Sequence, residues 1–87
     1  MVFSTVEPQS IRTRLREGIV NFAFRKLDGT LRIAVGTTNL GLIPEQHRPV
    51  GLFTASDASV RFYDIEKGAW RSFSSRQECL LVTPTAL

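Results

Sequence analysis

The chain has 87 residues, 43% of them hydrophobic and 22% charged, with a formal net charge of +3. That length holds a single hydrophobic core, and that composition excludes a disordered chain. No apolar run approaches the roughly 18 residues of a membrane span, and MVFSTVEPQS has no basic segment followed by an apolar one, so no signal peptide is expected and the cytoplasm is.

The charge excess is local. Residues 1–36 carry Arg12, Arg14, Arg16, Arg25, Lys26 and Arg32 against Glu7, Glu17 and Asp28, while the remainder is balanced. Nine of the eleven cations are arginines, whose planar fork suits bidentate contact with phosphate or carboxylate. The composition points to an anionic partner.

In chain order, Thr5 stands where it can cap a helix over about 6–17, with Pro8 in the first turn, where proline's missing N–H costs nothing. Ile11 and Leu15 form a narrow apolar stripe with Ile19 next in line, and Arg12 and Arg16 share the neighbouring face. Gly18 is a natural left-handed stop. So short a helix has no stability alone and must pack on the rest.

Asp28-Gly29 then signals a two-residue hairpin turn. That turn sets Phe22 opposite Val35 and Phe24 opposite Ile33 on a core face, with Ala23 opposite Ala34 and Arg25 opposite Arg32 on the other. Like charges directly opposite each other destabilise a sheet. The pair reads either as a two-pronged anion site or as side chains splayed into water or relieved by an acid such as Glu17.

Residues 37–58 form a long connection containing Pro44 and Pro49, which Leu40, Leu42, Ile43, Leu52 and Phe53 hold against the sheet. A second hairpin follows over SVRFYDIEKGAWRSF. A three-residue loop with a bulge at Gly68 sets Tyr63 opposite Arg71, whereas a two-residue turn sets Asp64 there. Glu78 to Val82 reads as a closing strand, ended by Thr83-Pro84, and it carries Cys79, the one cysteine, as an inert buried thiol. The expected fold is mainly β: one domain over 1–87, a short N-terminal helix, and a small five-stranded, partly closed barrel over about 19–83.

Several chemistries are disfavoured. One histidine, His47, and one cysteine make no four-ligand zinc set, and no glycine-rich phosphate cradle occurs. No serine sits in a nucleophile motif that His47 could serve, and Asp64 and Glu66 flank a turn. No catalytic residue, metal or cofactor is expected.

Phe62-Tyr63-Asp64 followed by Gly68-Ala69-Trp70-Arg71-Ser72-Phe73 resembles the last hairpin of WYL domains. Residues 10–75 as a whole resemble small stand-alone WYL-like proteins with a Sm-like SH3 barrel fold, common in tailed bacteriophages. The recurring motifs stand here as Phe24 to Arg32, Leu42-Ile43-Pro44 and Asp64 to Phe73, while the naming tripeptide is replaced by Val60 to Asp64. The resemblance implies the SH3/Sm-like barrel, a regulatory role in the host cytoplasm, and ligand contact by Arg71.

The sequence reading is therefore a non-catalytic, phage-encoded regulatory module that engages nucleic acid or a nucleotide. Arg25, Arg32 and Arg71 are its expected ligand contacts, with Arg12 and Arg16 as electrostatic support. Tyr63 and Trp70 serve as a stacking platform, unless Trp70 belongs to the core and Arg71 pairs with Asp64. An adaptor or inhibitor docking on an acidic host protein such as RNA polymerase is the alternative, and a homo-oligomer is a third possibility.

Overall fold

A computed structural model of the chain describes residues 2–48 and 58–83. In order, these form β1 (Val2–Val6), α1 (Pro8–Glu17), β2 (Val20–Arg25), β3 (Leu31–Thr37), single 3-10 turns at Leu40–Leu42 and Glu45–His47, β4 (Ser59–Asp64), β5 (Ala69–Ser74) and β6 (Cys79–Thr83). The six strands make one antiparallel sheet in the order β1-β6-β2-β3-β4-β5. Thr5 is therefore not a helix cap. It lies in β1, paired with Leu80, and Glu7 precedes the helix without a side-chain cap. The strand Val2–Val6 raises the count among the described residues from five strands to six, and β6 runs inside the sheet, between β1 and β2.

The sheet curls on itself. Phe24 of β2 stacks on Phe73 of β5 at 4.8 Å between ring centroids, although β3 and β4 separate these strands. In a flat sheet they would lie about 14 Å apart. Phe22 meets Phe62 edge-on at 5.0 Å, and Ile11 and Leu15 of α1 pack with these rings, both fully buried. Burial of that stripe, rather than propensity, stabilises the helix. Its end is tied down as well: the Leu15 carbonyl accepts from Thr38 N–H at 2.9 Å and Thr37 Oγ1 at 3.0 Å. Gly18 ends the helix in an extended conformation, φ 176°, and not in the left-handed one.

The first hairpin differs from the expected register by one residue. Leu27-Asp28-Gly29 form a three-residue loop, with Lys26 N–H donating to Thr30 O at 2.7 Å and Gly29 at φ 90°. This is the turn followed by a left-handed residue that a bulged hairpin uses. Asp28 accepts from both the Thr30 hydroxyl and the Thr30 N–H, which hold its carboxyl below the ordinary value. The added loop residue pairs Phe24 with Arg32, Phe22 with Ala34 and Arg25 with Leu31. Arg25 and Arg32 therefore sit on opposite faces, and the expected clash does not arise.

The second hairpin takes neither expected register. Its loop has four residues, Ile65 to Gly68, with Gly68 at φ 63° and its N–H donating to Asp64 O at 2.8 Å. Asp64 pairs with Ala69, Tyr63 with Trp70 and Phe62 with Arg71. Of the connection, Ile43 is buried while Leu40 and Leu42 are about half exposed; Pro49, Leu52 and Phe53 lie outside the described residues.

At Gly36 a Cβ would stand 2.6 Å from Phe62 Cδ2 and 3.0 Å from Tyr63 O. Gly36→Ala is expected to cost about 1–3 kcal/mol, as overpacking of a tight core does, read as a lower urea midpoint at unchanged m-value. Cys79 is buried as expected, and that burial raises its thiol above the ordinary 9.0, with Glu7 and Glu78 adding to the effect. The unfolded chain then ionises first. The linked stability is whole below pH 9.0 and declines as pH rises toward the folded value. Comparing urea stability against pH for the wild type and Cys79→Ala should show the extra alkaline decline in the wild type alone.

Candidate anion-binding site

Register decides which charges meet. Residues paired across antiparallel strands share a face, so Arg32 shares a face with Phe24, and Arg71 shares one with Phe62. Phe24 and Phe62 are core residues, which makes Arg32 and Arg71 inward-facing positions at the rim of the barrel, where packing gives way to water. Gly36 pairs with Asp64 and brings its carboxylate to the same rim.

Asp64 organises the cluster. Its side chain is only 3% exposed, and a single oxygen, Oδ2, faces Arg32 Nη2 at 3.5 Å and Arg71 Nε at 3.7 Å. The other oxygen accepts from Lys67 N–H at 3.0 Å. Arg32 donates a long hydrogen bond, and the Arg71 contact lies beyond hydrogen-bond range. Both are ion pairs, and the two arginines converge on one negative charge. Both also line an open groove with Lys26, Lys67, Leu31 and Ile33, in which Glu66 is the one further acid among the described residues. The charge balance of the lining is positive.

The other expected site residues are deployed elsewhere. Arg25 bonds Glu78 at 3.1 Å and the Gly29 carbonyl at 2.7 Å. Arg12 donates to Ser59 O at 2.8 Å and fastens α1 to the start of β4, five residues and about 17 Å of strand from Asp64. Arg16 is exposed on α1, and no helix residue lines the groove.

Tyr63 and Trp70 form a clamp on the opposite face. Tyr63 Oη lies 2.6 Å from His47 Nδ1, and Trp70 Nε1–H donates to His47 O at 2.7 Å. The two rings meet edge-on at 5.8 Å, and the Arg61 guanidinium lies 5.0 Å over the Trp70 ring. Tyr63 is buried and Trp70 partly so, and the pair anchors the 3-10 turn Glu45–His47. Trp70 is accordingly outside the aromatic core. Asp64 as organiser was absent from the expected site, although its pairing with Arg71 was one of the two readings of that arginine. Its signal was the acid at the mouth of a turn beside an arginine-bearing strand.

The family model described as WYL_2, Sm-like SH3 beta-barrel fold, matches residues 9–77. Among curated proteins, the chain is similar to an uncharacterized 11.5 kDa protein in the Gp31-cd intergenic region of Enterobacteria phage T4. The two are 35% identical over 69 residues, covering 74% of this chain and 66% of that protein, so the chain spans just under two thirds of its relative's length. No solved structure matches. Among the described residues, no helix is long and apolar enough to cross a membrane.

Asp64→Ala removes the shared carboxylate and leaves Lys67 N–H unpaired, and should lower stability by about 1.5–3 kcal/mol, the range for hydrogen bonds to a charged group. Asp64→Asn, whose Oδ1 still accepts from Lys67 N–H, should cost less. Urea denaturation of the three proteins orders them.

Proposed function

The chain belongs to the WYL_2 family, with its Sm-like SH3 β-barrel fold, and we propose that it acts as a non-catalytic regulatory binding module whose Arg32 and Arg71 engage an anionic partner. The observation that carries this reading is the convergence on the buried Asp64 of two guanidiniums that both line an open, positively charged groove. Similarity to a phage protein supports a phage origin and action in the host cytoplasm.

Two partner classes suit arginines: nucleic acid or a nucleotide, and an acidic protein. The groove favours the second. A phosphate track needs cations in series, yet Arg12 and Arg25 are engaged within the fold and Arg16 lies away from the groove. Base stacking needs an open aromatic face, yet Tyr63 is buried in the His47 clamp and the Arg61 guanidinium lies over the Trp70 ring. Leu31 and Ile33, exposed beside the arginines, suit a partner carrying aliphatic groups among its carboxylates. The module then works as an adaptor or inhibitor, occupying an acidic segment of another protein.

Fluorescence anisotropy with labelled poly-glutamate and with single-stranded DNA of equal charge tests this reading. At physiological salt poly-glutamate should bind, and Arg32→Glu should weaken it by about tenfold or more. The circular dichroism spectrum of Arg32→Glu should stay that of the wild type. DNA binding more tightly at that salt, with the same dependence on Arg32, would return the assignment to nucleic acid.

A further inference from the structure

The groove beside Arg32 is bounded by an open strand edge in the interior of the sheet. Along a strand, successive backbone N–H and C=O groups point alternately to the two sides. Thr30 accepts from Lys26 N–H on the β2 side, and Arg32 and Ala34 pair with Phe24 and Phe22 in the same phase. Leu31, Ile33 and Val35 therefore direct their backbone groups away from β2. Val35 O accepts from Ile65 N–H at 2.9 Å, and the pairs Gly36 with Asp64 and Thr37 with Tyr63 complete the contact of β3 with β4. Beyond that point β4 turns off through Ile65 to Gly68. Among the described residues, no strand meets the N–H and C=O groups of Leu31 and Ile33.

The side chains around this edge are sorted by face. Arg32 and Arg71 lie inward, with Asp64 between them. Leu31 and Ile33 point outward and are 42% and 50% exposed. Lys26 closes the first hairpin loop, Lys67 stands in the second, and both line the same groove. Alternation along an extended chain is what such a surface matches, since side chains two residues apart point the same way.

We infer that this groove receives an extended acidic segment of another protein, added to β3 as a short strand, in which acidic residues alternate with aliphatic ones. The acidic residues face Arg32 and Arg71, and the aliphatic ones lie beside Leu31 and Ile33 as cross-strand neighbours. Main-chain bonds to Leu31 and Ile33 supply affinity, and the alternating side chains supply selectivity. A nucleic acid backbone has no amide donors for the two carbonyls, which favours a polypeptide. The inference rests on the acidic-protein reading above and adds the conformation and pattern of the partner.

The test uses the full chain with a labelled Glu-Val-Glu-Val-Glu-Val peptide, its block isomer Glu-Glu-Glu-Val-Val-Val, and two N-methylated forms of the alternating peptide, each carrying methyl groups on one alternate set of amides. The alternating peptide should bind at least about tenfold more tightly than the block isomer. One N-methylated form should lose binding and the other keep it, and the Ile33 amide should become protected from hydrogen exchange. Equal binding of the isomers, or tolerance of both methylated forms, with dependence on Arg32 retained, would overturn strand addition and leave the anion-binding reading standing. Protection along the exposed edge strand Val2–Val6, without dependence on Arg32, would place the peptide on β1 and overturn it too. If neither peptide binds while single-stranded DNA does, both readings fail.

Discussion

The absence of a side chain at Gly36 lets β3 pass directly beneath the Phe62 ring, and the arrangement of the barrel follows from that approach. A Cβ there would stand well inside contact distance of the ring. Because the strands close up at this point, Asp64 pairs with Gly36, β4 and β5 curl over the core, and Phe73 comes to stack on Phe24. The same curl brings the inward positions of β3 and β5 that pair with Phe24 and Phe62 to one rim. Arg32 and Arg71 occupy those positions, so the charged site and the hydrophobic core are successive stretches of one sheet face.

Other contacts hold the curl in place. Gln77 accepts from Ser74 N–H and donates to Arg25 O, while Arg25 N–H donates to Glu78 O, so the end of β5 is joined to the end of β2 across the seam. At the other end of the barrel, Thr37 and Thr38 bind the last turn of α1 and Arg12 holds β4. Arginines that composition alone offers as ligand contacts thus work as internal fastenings at both ends. This is the physical reason the charge excess of the first 36 residues overstates the basic surface available to a partner.

A single turn residue separates the expected first hairpin from the observed one, and its consequences reach the site. Side chains in a strand alternate with period two, so one extra loop residue exchanges every position on β3 between faces. Val35 and Ile33, expected opposite Phe22 and Phe24, lie outside; Ala34 and Arg32 take their places. The Asp28-Gly29 signal was correct for a hairpin and ambiguous for its loop, because glycine at positive φ serves both turn types. The second hairpin shows the same limit, with Gly68 at positive φ in a loop longer than either expected one. Val2–Val6 carries no strand signal of its own, since five uncharged residues ahead of a helix hold no period long enough to mark one; its pairing with β6 is what orders it.

From the amino-acid order alone came the mainly β SH3/Sm-like class, the helix with its Ile11–Leu15 stripe, both hairpins, the buried thiol and the family, because these rest on local periodicity, turn chemistry and short motifs. Only the tertiary structure decided which arginines meet. Arg25 left its expected partner for Glu78, and Arg32 met Arg71 across 39 positions of sequence at a carboxylate carried by a third strand. That meeting depends on hairpin register and sheet curl, which are set by loop lengths and by close packing at Gly36, and neither leaves a signature in the spacing of charges.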